Sequence, residues 1–543
     1  MNSSVPCVGP LPDAVVIGAG PNGLVAANLL VDAGWSVLVL EAEAEPGGAV
    51  RTGELTVPGF RHDLFSAFYP MAVASPVMTG LQLEEHGLCW RRSPVALAHP
   101  LPDGRCVSLS VDRTETARSL ESFATGDGDA WERVMEEWDQ VGGPLVDALF
   151  RPLPPLTPMA RLGLRLGVTG TLRFVRQALV PVRRMGEELF DGEGGRLLLG
   201  GNALHADLSP EGAGSGFFGW LLSCLGQQYG FPVPEGGASG LTGALVRRFE
   251  GRGGRLLCDS RVDEVLVRKG RAVAVRTDAG DVIDARRAVV ADVSASSLYG
   301  GLVDRRVLPP DFIDDMRRFQ WDMSTVKVDW ALDSPVPWEA ADARRAGTVH
   351  VADDVDNFTE FAAQVAMGQL PSRPFLLFGQ QSTADPTRSP PGTETAWAYT
   401  HVPRCVRGDG AGVLPVTAVQ SWLPGFVDRI EARIERLAPG FRSLIRGRHV
   451  FSPDELERAD ANLCGGAING GTAQPHQQLL FRPVPGGGRA ETPIAGLYLG
   501  SASAHPGGGV HGGPGANAAR AALAPLSGIR SSLVGRGGWS PRR

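Results

Sequence analysis

Residues Asp13 to Glu41 constrain the fold of this chain more than any other stretch. Asp13-Ala14-Val15-Val16-Ile17 reads as a buried strand and Gly18-Ala19-Gly20-Pro21-Asn22-Gly23 as a glycine-rich turn opening a helix. Val37-Leu38-Val39-Leu40 then reads as a second strand, ending in the carboxylate of Glu41. That order is required of a dinucleotide-binding βαβ unit. Gly18 permits the tight turn, Gly20 lets backbone approach a pyrophosphate, and Gly23 lets helix and strand pack closely. The helix N-terminus would offer unpaired N–H groups and a favourable dipole to the phosphates. Glu41 lies near the spacing at which an acid accepts hydrogen bonds from a ribose hydroxyl. Pro21, Asn22 and Ala42 complete the expected contact set at this end.

At 543 residues the chain exceeds one compact core, so two or more domains are expected. A formal charge of −7 without a long basic run argues against a nucleic-acid partner. The seven cysteines are scattered, with no C-x-x-C pair, so neither a zinc site nor a redox dithiol is expected. They read as reduced residues of a cytoplasmic protein. No signal peptide is expected at Met1 to Pro12, and no eighteen-residue apolar run would span a membrane.

The nucleotide fold is begun early, revisited mid-chain and completed late, which predicts a discontinuous domain. Residues 1–70, 234–300 and 481–526 are its expected segments. Residues 71–233 form a substrate or lid segment and 301–480 a substrate domain, and 527–543 read as a disordered tail. Strands are expected at Val262 to Arg268, Ala288 to Ala291, Thr325 to Leu332 and Ala396 to His401, and a last helix near Pro514 to Ala524.

Several motifs carry a family resemblance. Gly47-Gly48 with Arg51 resembles the loop that extends the fingerprint in flavoproteins of the glutathione-reductase-like class. Gly496-Leu-Tyr-Leu-Gly500-Ser501 through His505, Gly508, Gly509 and Val510 resembles the second flavin motif of the phytoene desaturase and carotenoid isomerase group. Within it, Gly465 to Gly471, Trp397 to Pro403 and Asp385-Pro386 are most similar to the branch of pyridine nucleotide-disulfide oxidoreductase domain-containing protein 2. The resemblance implies an α/β fold with a glutathione-reductase-like FAD-binding Rossmann domain and an α+β substrate part holding a mixed sheet. It implies one FAD, with Val262 among its contacts. The absence of C-x-x-C and of a second fingerprint after a strand opposes disulfide chemistry and a separate nicotinamide domain.

Lys327 is one of only two lysines against fifty arginines, and its strand resembles the one carrying a lysine in flavin amine oxidases. There the lysine holds a water near flavin N5, so Lys327 is the first catalytic candidate. His505, inside the flavin loop, is the second, as proton shuttle or substrate contact. His205 and His401 rank below it, a structural role being the commoner one for such histidines. The expected activity is hydride transfer from a C–H bond of a hydrophobic, polyene or lipid-like substrate to flavin N5. Oxygen or a quinone-like acceptor would then reoxidise the flavin. Amine oxidation, redox-neutral polyene isomerisation and a non-catalytic flavin-fold binding protein are the alternatives. Between Pro152 and Gly186 arginines interleave with apolar residues and no acid occurs, a pattern that would suit peripheral contact with an anionic membrane.

Overall fold

The computed structural model describes residues 11–524; the expected tail at 527–543 lies outside the described residues. The chain opens with β1 (Ala14–Ile17), α1 (Pro21–Asp32) and β2 (Val37–Leu40). Strands β3 (Val95–Pro100) and β4 (Cys106–Leu109) lead into the helices α2 (Asp127–Leu149), α3 (Leu156–Leu179), α4 (Glu193–Leu204) and α5 (Ser215–Tyr229). Helix α6 (Ser239–Gly251) returns to β5 (Arg255–Leu257), followed by β6 (Val262–Arg268), β7 (Arg271–Thr277), β8 (Val282–Asp284) and β9 (Ala288–Ala291). The second half supplies β10 (Ser324–Leu332), β11 (Ala346–Val351), β12 (Leu376–Gln380), β13 (Glu394–Val402), α7 (Val419–Leu437) and β14 (Ile445–Phe451). The chain closes on β15 (Leu497–Leu499) and α8 (Gly513–Leu523).

Two sheets organise these elements. The first has the order β15-β9-β1-β2-β5, and its neighbouring pairs are all parallel. Its strands are short and mostly apolar because helices cover one face and the β6–β8 meander the other, leaving β1, β2, β9 and β15 buried throughout. Helices α1, α6 and α8 share one face, with Leu24, Leu30, Leu241, Leu245 and Ala518 in a common core. The strands come from residues 14 to 499, so a sheet assembled from the start, middle and end of the chain is observed.

The second sheet is mixed and seven-stranded, in the order β14-β10-β13-β12-β11-β3-β4. Its centre is wholly buried: every residue of β10 is below the surface. Helix α7 packs Trp422, Phe426, Ile430 and Ile434 on one face, against Trp330 and Phe378. Helices α2, α4 and α5 cover part of the other. The 71–233 segment therefore does more than form a lid, because β3 and β4 extend this sheet.

Helix α3 covers nothing with its outer face. Gly167, at φ 63° and ψ −176°, breaks it in two. Beyond the break Val168, Leu172, Val175 and Leu179 recur at helical spacing and are 50–80% exposed.

Candidate functional site

A cavity of ≈ 310 Å³ runs from the glycine turn of β1–α1 to the open face of the seven-stranded sheet. Its near end is made of backbone. Gly20, Pro21 and Asn22 line one side, Gly48 a second, and Ser501, Gly509 and Val510 a third. These loops meet because side chains are missing: a Cβ on Gly48 would stand 3.2 Å from the Gly20 Cα, and one on Gly20 2.7 Å from Asp292 Oδ2. A Cβ on Gly23 would collide with the Gly18 carbonyl. Gly18 itself needs its φ of +93°. A Cβ on Gly515, in the first turn of α8, would collide with the Asn22 carbonyl, so the first turns of α1 and α8 converge.

The other residues expected to contact the cofactor act one layer back. Glu41 Oε2 accepts from the Ala19 N–H at 2.7 Å and Oε1 from the Glu43 N–H at 3.0 Å, which anchors the carboxylate beneath the turn. Arg51 does not line the cavity; its guanidinium donates to Gly48 O (2.9 Å) and Ala459 O (2.6 Å) and ties two loops together. Gly47, Gly500 and Gly508 are sites of close backbone approach, to Val50 O, the Ala518 side chain and Asn469 O respectively. Ala42 is half-buried at the end of β2, and Val262 is buried where β6 begins, beside Thr277 of β7. Neither faces the cavity.

Sequence reasoning missed Asp292, which follows β9 and lines the cavity. Its position at the carboxyl end of a parallel strand was the available signal. Asp292 Oδ2 accepts from the Gly23 N–H at 2.7 Å. Burial pushes its carboxyl up to about 8, with Asp460 and Glu41 adding to the rise. A carboxyl held neutral in this way is compatible with a phosphate beside it. The near end therefore fits a dinucleotide. It is glycine-walled, it places a helix N-terminus at the turn, burial raises both of its carboxyls, Asp292 and Asp460, and Asn22 Oδ1 is buried with no partner among the described residues.

The far end is made of side chains. Phe65, Phe68, Phe231, Trp397 and Tyr399 line it, with Lys327, Thr325, Thr348 and His205. The rings of Trp397 and Tyr399 stand parallel, 5.9 Å between centroids. Lys327 is 3% exposed, so it is not the solvent-facing lysine that strand alternation alone allows. Its ammonium is already engaged: Nζ lies 2.5 Å from both Asp329 oxygens and donates to Asp63 O at 3.0 Å. Asp329 is two residues along the same strand, hence on the same face. Burial works against the Asp329 charge, but Lys327 and His62 hold its carboxyl below the ordinary value. Asp63 is ion-paired in turn with the fully buried Arg388.

His505 is a correction. The cavity-facing residues of its loop are Ser501 to Ser503, Gly509 and Val510, and the imidazole lies outside them, Nε2 at 3.2 Å from Arg151 O. Burial pushes it down to about 4. His205 does line the cavity, with Nε2 at 2.8 Å from His350 Nε2, and burial pushes it down to about 3. His401 sits behind Thr325, paired with Asp207.

Two further buried charges fasten the wall between the two ends. Asp322 accepts from the N–H groups of Ile468, Asn469 and Gly471 at 2.8–3.0 Å. Arg482 donates to the carbonyls of Asn469, Gly470, Thr472 and Ala502 at 2.7–3.2 Å. One loop is thereby gripped by its amides and its carbonyls together.

A parallel dinucleotide domain joined through one cavity to a mixed sheet with an aromatic substrate end defines an FAD-dependent oxidoreductase. Comparison with known proteins is consistent with that class. Residues 16–78 match an NAD(P)-binding Rossmann-like domain, and residues 107–395 match the flavin containing amine oxidoreductases, so the chain belongs to that family. It is 29% identical to pyridine nucleotide-disulfide oxidoreductase domain-containing protein 2 of Rattus norvegicus, over 94% of this chain and 93% of the relative. It is 25% identical to the neurosporene-forming phytoene desaturase of Cereibacter sphaeroides, over 96% of each chain. Its fold is similar to that of wild-type putrescine oxidase bound to putrescine, with a TM-score of 0.59 at 18% identity, covering 94% of this chain and 98% of the other.

Proposed function

We propose that this enzyme dehydrogenates a neutral, apolar, isoprenoid-like substrate, with oxygen or a quinone-like compound as electron acceptor. The observation that carries the reading is the charge distribution in the cavity. The carboxylates that line it, Asp292 and Asp460, belong to the glycine-walled end, and a Cβ on Gly48 would stand 3.5 Å from Asp460. Among the described residues no carboxylate faces inward at the aromatic end, and the charged side chain there is Lys327. An alkylammonium would enter without a counter-ion facing it, since Asp329 is already taken up by Lys327, and its desolvation would be expensive. A hydrocarbon meets aromatic walls and brings no charge of its own to desolvate.

FAD supplies hydride acceptance at its N5 when bound. Gly20, Gly48, Ser501, Gly509 and Val510 would hold it, and the aromatic end would orient the donor and exclude water. Lys327 and Asp329 place an ordered ion pair in the wall between the two sites. The relatives named phytoene desaturase support the substrate class by likeness.

The outer face of α3 gives the same reading a point of contact with lipid. Its exposed Val168, Leu172, Val175 and Leu179 are flanked by Arg165 and Arg173, with Arg176 already paired with Glu188, which suits an anionic bilayer surface. Among the described residues no helix is long and apolar enough to cross a membrane. Flotation with phosphatidylglycerol vesicles, lost in a Leu172→Asp/Val175→Asp variant, tests this contact.

The substrate class is tested by anaerobic bleaching of the bound flavin. Isoprenoid hydrocarbons from monoterpenes to phytoene are set against putrescine. Bleaching by a hydrocarbon and not by putrescine supports the reading, and bleaching by putrescine alone establishes amine oxidation instead.

A further inference from the structure

Thr325 and His401 face each other across β10 and β13, and the Thr325 Oγ1 lies 3.2 Å from His401 Nδ1. On the other side of the ring, His401 Nε2 lies 2.5 Å from Asp207 Oδ1, an ion-pair contact without hydrogen-bond geometry. Asp207 is held in turn by Asn469, whose Nδ2 donates to Oδ2 at 2.9 Å. Thr325, His401 and Asp207 are all buried, and Thr325 and Asn469 both line the cavity. The result is a hydroxyl, an imidazole and a carboxylate in a row, with the hydroxyl end on the substrate space.

The backbone at Asp207 is an outlier. It adopts φ +58°, a left-handed conformation uncommon for a non-glycine residue. The residue stands in the turn after α4, and this conformation accompanies the contact of its carboxylate with His401 and Asn469.

The carboxylate biases the tautomer, although the Ser324 carbonyl also faces the ring. A carboxylate beside Nε2 keeps the N–H on that nitrogen in the neutral ring, which leaves the Nδ1 lone pair toward the Thr325 hydroxyl. Burial alone would push His401 down, as it does His205; the Asp207 carboxylate, assisted by Asp322, outweighs it and holds His401 above its ordinary value. The other charges around the ring are compensated. Arg482 faces Asp322 through the loop they share, and Lys327, two residues along β10, is paired with Asp329. His205, which lines the cavity, pairs with His350 instead, whereas His401 has the Asp207 carboxylate behind it.

We propose that Thr325, His401 and Asp207 form the proton acceptor of the dehydrogenation, with Thr325 the group that meets the substrate. The inference rests on the function proposed above. One C–H bond of the donor breaks with its electron pair leaving as hydride to the flavin, which is the oxidant. The adjacent C–H bond breaks and its electron pair becomes the second bond of the new C=C. That proton passes to Thr325 Oγ1 as the Thr325 proton passes to His401 Nδ1, leaving an imidazolium against the Asp207 carboxylate. Thr325 is then the catalytic residue, and His401 and Asp207 act through it.

The test follows the rate of anaerobic flavin bleaching by the isoprenoid hydrocarbon that reduces the enzyme, as a function of pH, in the holoenzyme. The wild-type rate should rise with pH and level off above the usual histidine range, because only neutral His401 accepts. Thr325→Val should slow bleaching by about 10²-fold or more, with flavin content, melting temperature and donor affinity unchanged, and Thr325→Ser should keep most of the rate. Asp207→Asn should move the rising limb to lower pH, and His401→Gln should abolish it. Wild-type rates in Thr325→Val, or an unmoved limb in Asp207→Asn, would overturn the relay while leaving the dehydrogenase reading intact. Absence of bleaching by every hydrocarbon in the wild type would overturn that reading and the relay with it. Should His401→Gln fail to fold, the Thr325 pair, one isosteric and one conservative, carries the decision.

Discussion

The two ends of the cavity are built by opposite means. At the near end Gly20, Gly48 and Gly509 shape space by the absence of side chains, and the polar groups on offer are mostly backbone. At the far end the walls are side chains, and their charges are held by partners: Lys327 by Asp329 on its own strand and by the distant Asp63 carbonyl, His401 by the distant Asp207. A cradle for a cofactor common to many enzymes can be a backbone form, while a chamber that discriminates among substrates depends on which side chains enter it. Damage at the two ends should therefore separate: cradle variants lose flavin, and chamber variants keep flavin but lose stability or turnover.

The largest effect is expected from Asp329→Ala, which leaves a 3% exposed ammonium with no carboxylate. Breaking a buried pair by removing one partner costs about 3–5 kcal/mol. Thermal melts of the holoenzyme should show it, and Lys327→Met in the same chain should recover most of the loss. If Asp329→Ala melts like the wild type, the far end is not organised by its charges.

Next comes Gly23→Val, which drives a side chain into the Gly18 carbonyl. Overpacking of this kind costs about 1–3 kcal/mol, and here it should act mainly on the cofactor. Purified protein should be folded by circular dichroism yet lack flavin absorbance. Full flavin content in this variant would remove the contrast between the two ends.

A smaller, pH-dependent effect concerns His99 and His350, both fully buried beside the far end. Burial pushes His99 down to about 4 and holds His350 well below its ordinary value. Both are neutral when folded and take up protons on unfolding below the ordinary histidine value. Their contribution is therefore complete above about pH 6.5 and is lost as pH falls, at about 1.4 kcal/mol per pH unit for each. Chemical denaturation between neutrality and about pH 4.5 should show the slope, and His350→Gln should lessen it by one proton. The least severe change is Arg482→Lys, which cannot reach all the carbonyls of the Asn469–Thr472 loop and of Ala502 at once. It should weaken flavin retention several-fold with little change in melting temperature.

The same contrast decides what could be read in the sequence. The β1–α1–β2 unit, β9, β10 and the late return to the first sheet were legible because strand, turn and helix are local patterns, and glycines that permit a turn are visible as glycines. Lys327 stands out by its rarity, but its partner Asp63 lies more than two hundred and fifty residues away, and no local pattern announces that meeting. Asp207 and His401 are separated in the same manner. His505 misled because proximity in a loop is not orientation: its neighbours face the cavity and its own ring turns to Arg151. The β3–β4 pair was hidden in a segment with the look of a lid, since two strands apart from their sheet carry little signal.

The central claim is that the aromatic, carboxylate-free chamber selects a neutral hydrocarbon. It is tested most directly by mixing the oxidised holoenzyme anaerobically with phytoene or a smaller isoprenoid hydrocarbon and, separately, with putrescine, and following the flavin absorbance. Bleaching by a hydrocarbon, with the flavin unchanged by putrescine, is the expected result. Bleaching by putrescine while every hydrocarbon leaves the flavin oxidised would contradict it.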